Sequence, residues 1–475
     1  MSRITISARA RVTELKKEEM EALKSALTYP NPAYAQATRL NFSTRNIPKN
    51  ICTYKVVDDS TIVAHRGEVR TIVEALSRFS KPKIETSEDK PLVGYRISYE
   101  NKTFALDPRQ ERVITDITDS HAKQGIVHAA TSAGKSAIIM ALIAKLNTPT
   151  LVIVHSKILL TQLQNDAREW LRLYDAQDRC VTTANSVPLI GTVGDGRMEV
   201  GVVTFAIDKS LKKLLANNPT LCAEFGLVVV DECHKAPTST FIGLLSVLHA
   251  PYRFGFTGTL KRKDGLGFLI NAAFGRVIST ITVGELMDAG RITPVETVVH
   301  NTNIPTPEIP ETAQANTVWR LVEEHLHNNE DRLMQARDIA LKVLTKNPAS
   351  CVVIVSRFVE PAKRLAALLT EAGFPCPTIT GKDTDNVKTC RSLRMGEIRV
   401  ATATLGCFAT GVNIPELTDI VLISPCFTNE LLLHQLRGRL MRVSPNKETA
   451  TLHFLFDNHV FPAYKLTNFL RTMRK

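Results

Sequence analysis

Two short runs near the middle of the chain combine residue types that handle a nucleoside triphosphate. The first, Thr131-Ser132-Ala133-Gly134-Lys135-Ser136, is entered from the strand-like Gly125-Ile126-Val127-His128 and leads into the helix-like Ala137–Leu146. A tight loop of small residues between a strand and a helix turns backbone N–H groups inward, and the helix N-terminus adds partial positive charge, so the loop suits an anion. On this reading Thr131, Ser132, Ala133 and Gly134 cradle phosphates, Lys135 reaches the β- and γ-phosphates, and the Ser136 hydroxyl ligates Mg²⁺. Ala129 stands where the general pattern has its first glycine.

The second run is Asp231-Glu232-Cys233-His234, placed after the apolar Leu227-Val228-Val229-Val230. A carboxylate at the C-terminal end of a buried parallel strand lies in the crevice where α/β sheets bind ligands. Asp231 is then placed to hold the Mg²⁺ shell and Glu232 to accept a proton from the attacking water. The competing account makes Asp231 a helix N-cap and leaves Glu232 solvated. The order of the two runs favours the chemical account.

These residues can meet only if the chain builds parallel sheets. From about residue 106 to 285, short apolar runs alternate with helical stretches, the signature of βα units. A second series follows: helix Gln335–Leu344, strand Cys351–Val355, helix Glu360–Leu369, then strands Arg399–Thr402 and Ile420–Ile423. The segment before them mixes alternating runs, Ile4–Ala8 and Tyr95–Tyr99, with a helix over Lys16–Leu27, and reads as a small α+β domain. Asn41–Asn50 has turn chemistry, Phe79–Pro91 reads as a polar loop or linker, and Asn301–Thr317 reads as a loop near a domain boundary.

Composition sets the outer limits. A chain of 475 residues exceeds the size at which one core stops growing, and 44% hydrophobic residues are enough to fold most of it. No apolar run approaches the ~20 residues of a membrane span. The N-terminus lacks a secretory layout, so a cytoplasmic location is expected. The nine cysteines stand singly, without C-x-x-C pairs, and read as reduced thiols. A net charge of +12 points to an acidic polymer as partner, because clustered cations release counterions from phosphates.

The motifs, in their order, resemble those of superfamily 2 DExH helicases, and within them the XPB and UvsW branch that includes phage branch-migration helicases. Leu106-Asp107-Pro108-Arg109-Gln110 resembles the entry motif, which implies that Gln110 reads the adenine edge, although Asp107 replaces the usual arginine. Val154-His155-Ser156-Lys157 through Gln162 resembles motif Ia, and Gly194-Asp195-Gly196 with Val203-Thr204-Phe205 resembles segments that track a strand backbone. Phe254–Thr259 resembles motif III with Gly258 in place of alanine, and Lys261–Gly265 resembles the charged tail of that branch. Further on, Val352–Phe358 with Arg357 resembles motif IV, and Thr380-Gly381 the short loop after the next strand. Thr402-Ala403-Thr404 with Thr410-Gly411-Val412-Asn413-Ile414-Pro415 resembles motif V, where Gly411 and Asn413 are implied at the nucleotide. Gln435-Leu436-Arg437-Gly438-Arg439-Leu440-Met441-Arg442 resembles motif VI. Arg439 and Arg442, three apart, are expected to share a helical face and to act with Gln435 as catalytic residues on the γ-phosphate.

The resemblance implies an α/β fold of two tandem RecA-like parallel-sheet lobes, 104–290 and 291–475, preceded by a small α+β accessory domain, 1–103, expected to bind DNA. It further implies a monomeric ATP-dependent DNA helicase, with ATP and Mg²⁺ as cofactors, that remodels branched or forked DNA without sequence preference and moves 3′ to 5′. Such a protein would serve phage recombination, repair and replication in the host cytoplasm. Ser156, Lys157, Gln162, Thr204, Phe205, Arg357, Thr380, Gly381, Thr402 and Thr404 are the implied strand contacts, since hydroxyls, amides and cations on phosphates position without reading sequence. Two other readings remain: an RNA helicase or restriction-system motor, and an ATP-gated nucleic-acid clamp that does not unwind.

Overall fold

Alternation writes the first elements. In Arg3–Ile6 and Arg9–Thr13 the apolar Ile4, Ile6, Ala10 and Val12 face inward while the arginines face out, and the two strands pair antiparallel through the turn between them. The computed structural model describes residues 2–102, 105–120, 122–130, 132–235, 238–260, 264–305, 307–308, 315–381, 385–411, 414–424, 430–445, 447–460, 466–467 and 469–470. Its contacts group into two units, Met1–Thr282 and Val283–Lys475.

The first unit opens with a five-stranded sheet whose core, including Ile4, Val12, Leu23, Ile62 and Leu76, is closed by helices Lys17–Ala26 and Val69–Leu76. The stretch Phe79–Pro91, expected to be a loop, instead contains a strand, Lys83–Thr86, which pairs parallel to Arg3–Ile6. Its charged, mostly exposed residues hide the strand because it lies at a sheet edge, where outward charges discourage further pairing.

The N-terminal segment is built into the nucleotide unit. Tyr95–Tyr99 pairs with Leu171–Asp175, far along the chain. Arg66 is buried, and its guanidinium donates to Gln124 Oε1 at 2.7 Å and to the carbonyl of Ala250 at 2.5 Å. Arg253, also buried, donates to the carbonyls of Ala8, Leu245 and Leu248. Burial pulls the Arg66 guanidinium down to about 10. The backbone closes as tightly at Gly67, where a Cβ would lie 2.0 Å from the Asn271 carbonyl oxygen.

The main sheet of this unit has eight strands, in the order Arg197–Glu199, Ile190–Gly194, Val203–Ile207, Thr150–Val154, Leu227–Asp231, Tyr252–Thr257, Gln124–Ala129 and Val277–Ile281. All neighbouring pairs are parallel except the first. Both faces are covered, which is why Thr150–Val154 and Leu227–Asp231 are buried along their whole length. Parallel strands put their C-terminal ends on one edge, so Ala129, Asp231 and Thr257 end side by side.

The second unit holds a six-stranded parallel sheet, ordered Val295–Thr302, Ala450–Asp457, Asp419–Leu422, Val352–Ser356, Val400–Thr404 and Thr378–Ile379. Its strands alternate between two cores. Val353, Val355, Ala401 and Leu422 pack with Leu436 on one face; Val352, Ile354, Val400 and Val421 pack with Leu333 and Leu365 on the other. Part of Asn301–Thr317 is also ordered differently from expectation, since Val295–Thr302 is a full strand and Ala315–Asn328 a helix.

Candidate nucleotide site

The strand Gln124–Ala129 delivers the chain into a loop that tightens at Ser132, φ +71°, and Gly134, φ +74°, before helix Lys135–Leu146 begins. Glycine is needed at 134 twice over: its φ is left-handed, and a Cβ there would lie 2.3 Å from Gln110 Nε2. Thr131 lies outside the described residues.

Gln110 braces this loop. Its Nε2 donates to the Ala133 carbonyl at 3.0 Å, and its Oε1 accepts from the Asp107 backbone N–H at 3.0 Å. Asp107 returns the bond as the N-cap of helix Pro108–Asp119, accepting from Arg109 N at 2.9 Å and Gln110 N at 3.3 Å, and its carboxylate pairs with the Arg109 guanidinium at 3.1 Å. The aspartate that departs from the resembled motif is therefore a helix cap, and the glutamine side chain is occupied at both ends.

Across the loop, Lys135 Nζ lies 3.7 Å from Glu232 Oε1. The Glu232 backbone adopts φ +52°, and its N–H donates to Asp231 Oδ1 at 3.0 Å, which turns the two carboxylates different ways. Glu232 Oε2 lies 3.2 Å from His234 Nδ1, which is also 2.9 Å from Thr257 Oγ1. That hydroxyl bonds within its own loop, donating to the Thr259 carbonyl and accepting the Thr259 N–H. His128 Nε2 reaches the Gly258 carbonyl at 3.3 Å, so the loop after Tyr252–Thr257 touches both the phosphate-loop strand and the acidic run. His234 carried no role in the sequence reading; a histidine three residues after Asp231 has no spacing signal until the neighbouring strand is known.

Electrostatics separate the two carboxylates. Burial opposes the charge of Glu232, but Lys135, the His234 hydrogen bond and Lys235 outweigh it and hold the carboxyl below its ordinary range. Asp231 goes the other way, pushed up by burial and then by the Glu232 charge. A buried carboxylate held above its range is what a divalent cation would relieve. Asp231 and Ser136 therefore fit a magnesium ion brought with a nucleotide; among the described residues no cluster of three or more His, Cys, Asp or Glu side chains forms a metal site by itself. Asp166, on helix Lys157–Trp170, also belongs to this neighbourhood. Burial pushes its carboxyl up to about 6, while a hydrogen bond from Ser136 works in the opposite direction.

In the second unit Gln435 and Arg439 lie on helix Glu430–Leu440, and the Arg439 guanidinium sits 5.7 Å from the centre of the Phe408 ring. Arg442 corrects an expectation: it falls beyond the helix end, so the two arginines do not share a helical face. Just past the helix end the Met441 carbonyl accepts the Thr293 N–H at 2.8 Å. Thr293 Oγ1 and Lys447 Nζ both donate to the Arg442 carbonyl. Burial, then the charge of Arg394, draws the Arg442 guanidinium down to about 10, which leaves it cationic at neutral pH. Gly411 ends helix Leu405–Gly411, and Asn413 lies outside the described residues.

Residues 103–262 match the family of the type III restriction enzyme res subunit, and residues 335–444 match the helicase conserved C-terminal domain. The chain therefore carries two helicase-type domains in tandem. "Probable helicase D10" of Escherichia phage T5 is 26% identical over 324 residues, 68% of this chain and 65% of that protein. The DNA 3'-5' translocase XPB2 of Sulfurisphaera tokodaii is 25% identical over 164 residues, 34% of this chain and 33% of that protein. The chain thus spans less than two thirds of either relative. Among solved structures, the ATP-dependent Type ISP restriction-modification enzyme LlaBIII bound to DNA has a TM-score of 0.56 at 12% identity, over 84% of this chain and 32% of that one; the likeness is one of fold.

The implied strand contacts divide by burial. Thr204, Phe205 and Thr402 are fully buried and correct the expectation for their side chains. Thr204 Oγ1 bonds the Gly201 backbone, Thr402 Oγ1 donates to Thr378 Oγ1 at 3.0 Å, and Phe205 fills the core. Thr380 is buried as well, and its carbonyl accepts from Asn386 Nδ2 at 2.6 Å. Ser156 caps helix Lys157–Trp170, Gln162 and Thr404 are half-buried, and Gly381 is exposed. Lys157 and Arg357 are exposed cations already paired, with Asp195 at 2.6 Å and with Glu323. The membrane-free expectation meets one fact: among the described residues no helix is long and apolar enough to cross a bilayer.

Proposed function

We propose that this chain is an ATP-dependent DNA helicase or translocase that remodels branched DNA by fork regression, junction branch migration and displacement-loop dissociation, moving 3′ to 5′. The observation that carries the ATP-hydrolysing part is the Lys135–Glu232 pair at 3.7 Å beside a phosphate loop, with Glu232 held ionised. Magnesium bound with the triphosphate supplies Lewis-acid charge neutralisation. Lys135 orients the terminal phosphates, Asp231 and Ser136 hold the metal shell, and Glu232 accepts the proton of the attacking water. His234 holds the second Glu232 oxygen and relays its position to Thr257 and the loop beyond. Arg439 and Arg442, with Gln435, offset the charge that develops on the transferred phosphoryl group. Gln110 reads the adenine edge when its amide leaves the Ala133 carbonyl, and Gly411 and Asn413 complete the nucleotide contacts.

The DNA preference, the polarity and the branch preference are supported by the +12 charge, the naming of the Sulfurisphaera tokodaii relative as a DNA 3'-5' translocase, and an N-terminal domain locked onto the nucleotide unit. The match to a restriction-enzyme family favours one other reading, a motor that translocates on linear duplex. One comparison separates them. ATP turnover and strand displacement are measured with forked DNA, a Holliday junction, linear duplex DNA and duplex RNA; preference for branched DNA is expected, and preference for RNA or linear duplex would overturn the branched-DNA reading.

A further inference from the structure

Between Asn31 and Cys52 the N-terminal domain carries no Asp or Glu, but does carry Arg39, Arg45 and Lys49. All three cations are exposed, and none is held in an ion pair among the described residues. Beside them Phe42 is 68% exposed and Leu40 46%. A loop that carries cations of one sign and an uncovered aromatic ring suits a polyanion with stackable faces.

The backbone shows that Phe42 is held out rather than left loose. Helix Pro32–Arg39 ends in a left-handed turn at Asn41, φ +53°, with Asn41 N–H donating to the Thr38 carbonyl at 3.2 Å and Phe42 N–H to the Ala37 carbonyl at 2.9 Å. In this helix-ending motif the residue at the position of Phe42 ordinarily folds back onto the last turn of the helix. Here its ring stays in solvent. The loop is closed at its base by Asn31, whose Nδ2 donates to the Pro48 carbonyl at 2.7 Å and whose N–H donates to the Lys49 carbonyl at 3.0 Å. Below that, Thr28–Pro30 pairs antiparallel with Asn50–Cys52.

This finger stands on the segment that follows Thr257-Gly258-Thr259. Tyr29 stacks on Phe268 with ring centres 4.4 Å apart, and Pro32 lies against Gly265, where a Cβ would sit 2.7 Å from Pro32 Cγ. The loop that His128 and His234 touch at the nucleotide site thus continues into the seat of the finger.

We propose that Asn31–Asn50 is a stacking finger for DNA: Phe42 stacks on the unpaired base at a junction of single strand and duplex, while Arg39, Arg45 and Lys49 hold the flanking phosphates. The proposal rests on the DNA-motor reading above. Its test uses the full chain and a fork with 2-aminopurine at the first unpaired position. Stacking predicts that Phe42→Leu binds the fork about tenfold more weakly and leaves the probe's fluorescence unchanged on binding, while Phe42→Tyr and Phe42→Trp keep both properties. Replacing Arg39, Arg45 and Lys49 together by Gln lowers the slope of log affinity against log salt by about 2 to 3. Equal fork affinity and equal probe response for Phe42→Leu and the wild type, or an unchanged salt slope, would overturn the finger and leave the patch for a protein partner. ATP turnover measured on the same samples keeps the two readings apart. A wild type that hydrolyses no ATP on any DNA but loses fork binding with Phe42→Leu sinks the motor and keeps the finger.

Discussion

Lys447 Nζ donates to the Arg442 carbonyl at 2.7 Å and to the Pro415 carbonyl at 3.1 Å, so one ammonium ties the turn that carries Arg442 to the segment after Asn413. Arg442 lies beyond the end of its helix, and its carbonyl accepts from this ammonium and from the Thr293 hydroxyl. Lys447→Met is therefore expected to lower kcat for DNA-stimulated ATP hydrolysis about tenfold with little change in KM, because a misplaced arginine loses transition-state contacts first. Lys447→Arg should restore part of the rate. Equal losses in kcat and in ATP affinity would instead mark Lys447 as a general stabiliser of its unit.

The same lysine makes a pH prediction. Burial pulls its amine from 10.5 down to about 8. Between those values the unfolded chain binds the proton more readily than the folded one, so stability rises with pH across that window. The thermal midpoint of the wild type should climb relative to Lys447→Met between about pH 8 and pH 10, and parallel curves would refute the assignment.

Glu232→Gln keeps the size and one hydrogen-bonding oxygen but removes the base and the partner of Lys135. ATP turnover is expected to fall by about 10²–10⁴. Nucleotide binding, read by a fluorescent analogue, should persist, whereas Lys135→Ala should lose both. A Glu232→Gln variant with normal turnover would remove Glu232 from the proton transfer.

What could be read from residue order follows what is local. The phosphate loop, the Leu227–Asp231 strand and the alternating βα series rest on short-range patterns, and the strands and helices lie where those patterns place them. Contacts between distant segments were invisible. Nothing in the sequence pairs Arg66 with Ala250, Asp166 with Ser136 or Lys447 with Pro415, since each is made by tertiary packing. Thr204 and Thr402 show the converse error. A hydroxyl in a motif reads as a ligand contact, but a hydroxyl in a central strand can satisfy itself on neighbouring backbone or side chain and stay in the core.

Gly67 tests how firmly the N-terminal domain is joined to the nucleotide unit. Three backbone atoms, of Asn271, Gly275 and Ala272, lie within 2.0 to 2.6 Å of where a Cβ would be. None of them can rotate away as a side chain could. Gly67→Ala is expected to destabilise the first unit by ~1–3 kcal/mol and to open the segment before residue 104 to limited proteolysis. Unchanged protection would mean that the two parts separate freely.

His327 sets an acid limit for the second unit. Its Nδ1 donates to the Glu323 carbonyl at 2.6 Å and its Nε2 accepts from Ser424 Oγ at 3.0 Å, while Ser424 Oγ takes the Arg357 N–H at 2.7 Å. Only the neutral ring satisfies this chain in its present direction. Burial is the main reason the ring is pulled down to about 4, helped by the charges of Arg332 and Arg357 against an opposing hydrogen bond at Glu323. An unfolded histidine protonates near 6.5, so between these values the unfolded state takes up the proton first and stability falls as pH falls. Replacing His327 with Gln, which can donate and accept in the same directions, should cost stability at neutral pH yet flatten its loss between about pH 6.5 and pH 4. Urea midpoints at pH 7 and pH 5 for both proteins decide it: a wild-type drop that His327→Gln reproduces in full would place the acid sensitivity elsewhere.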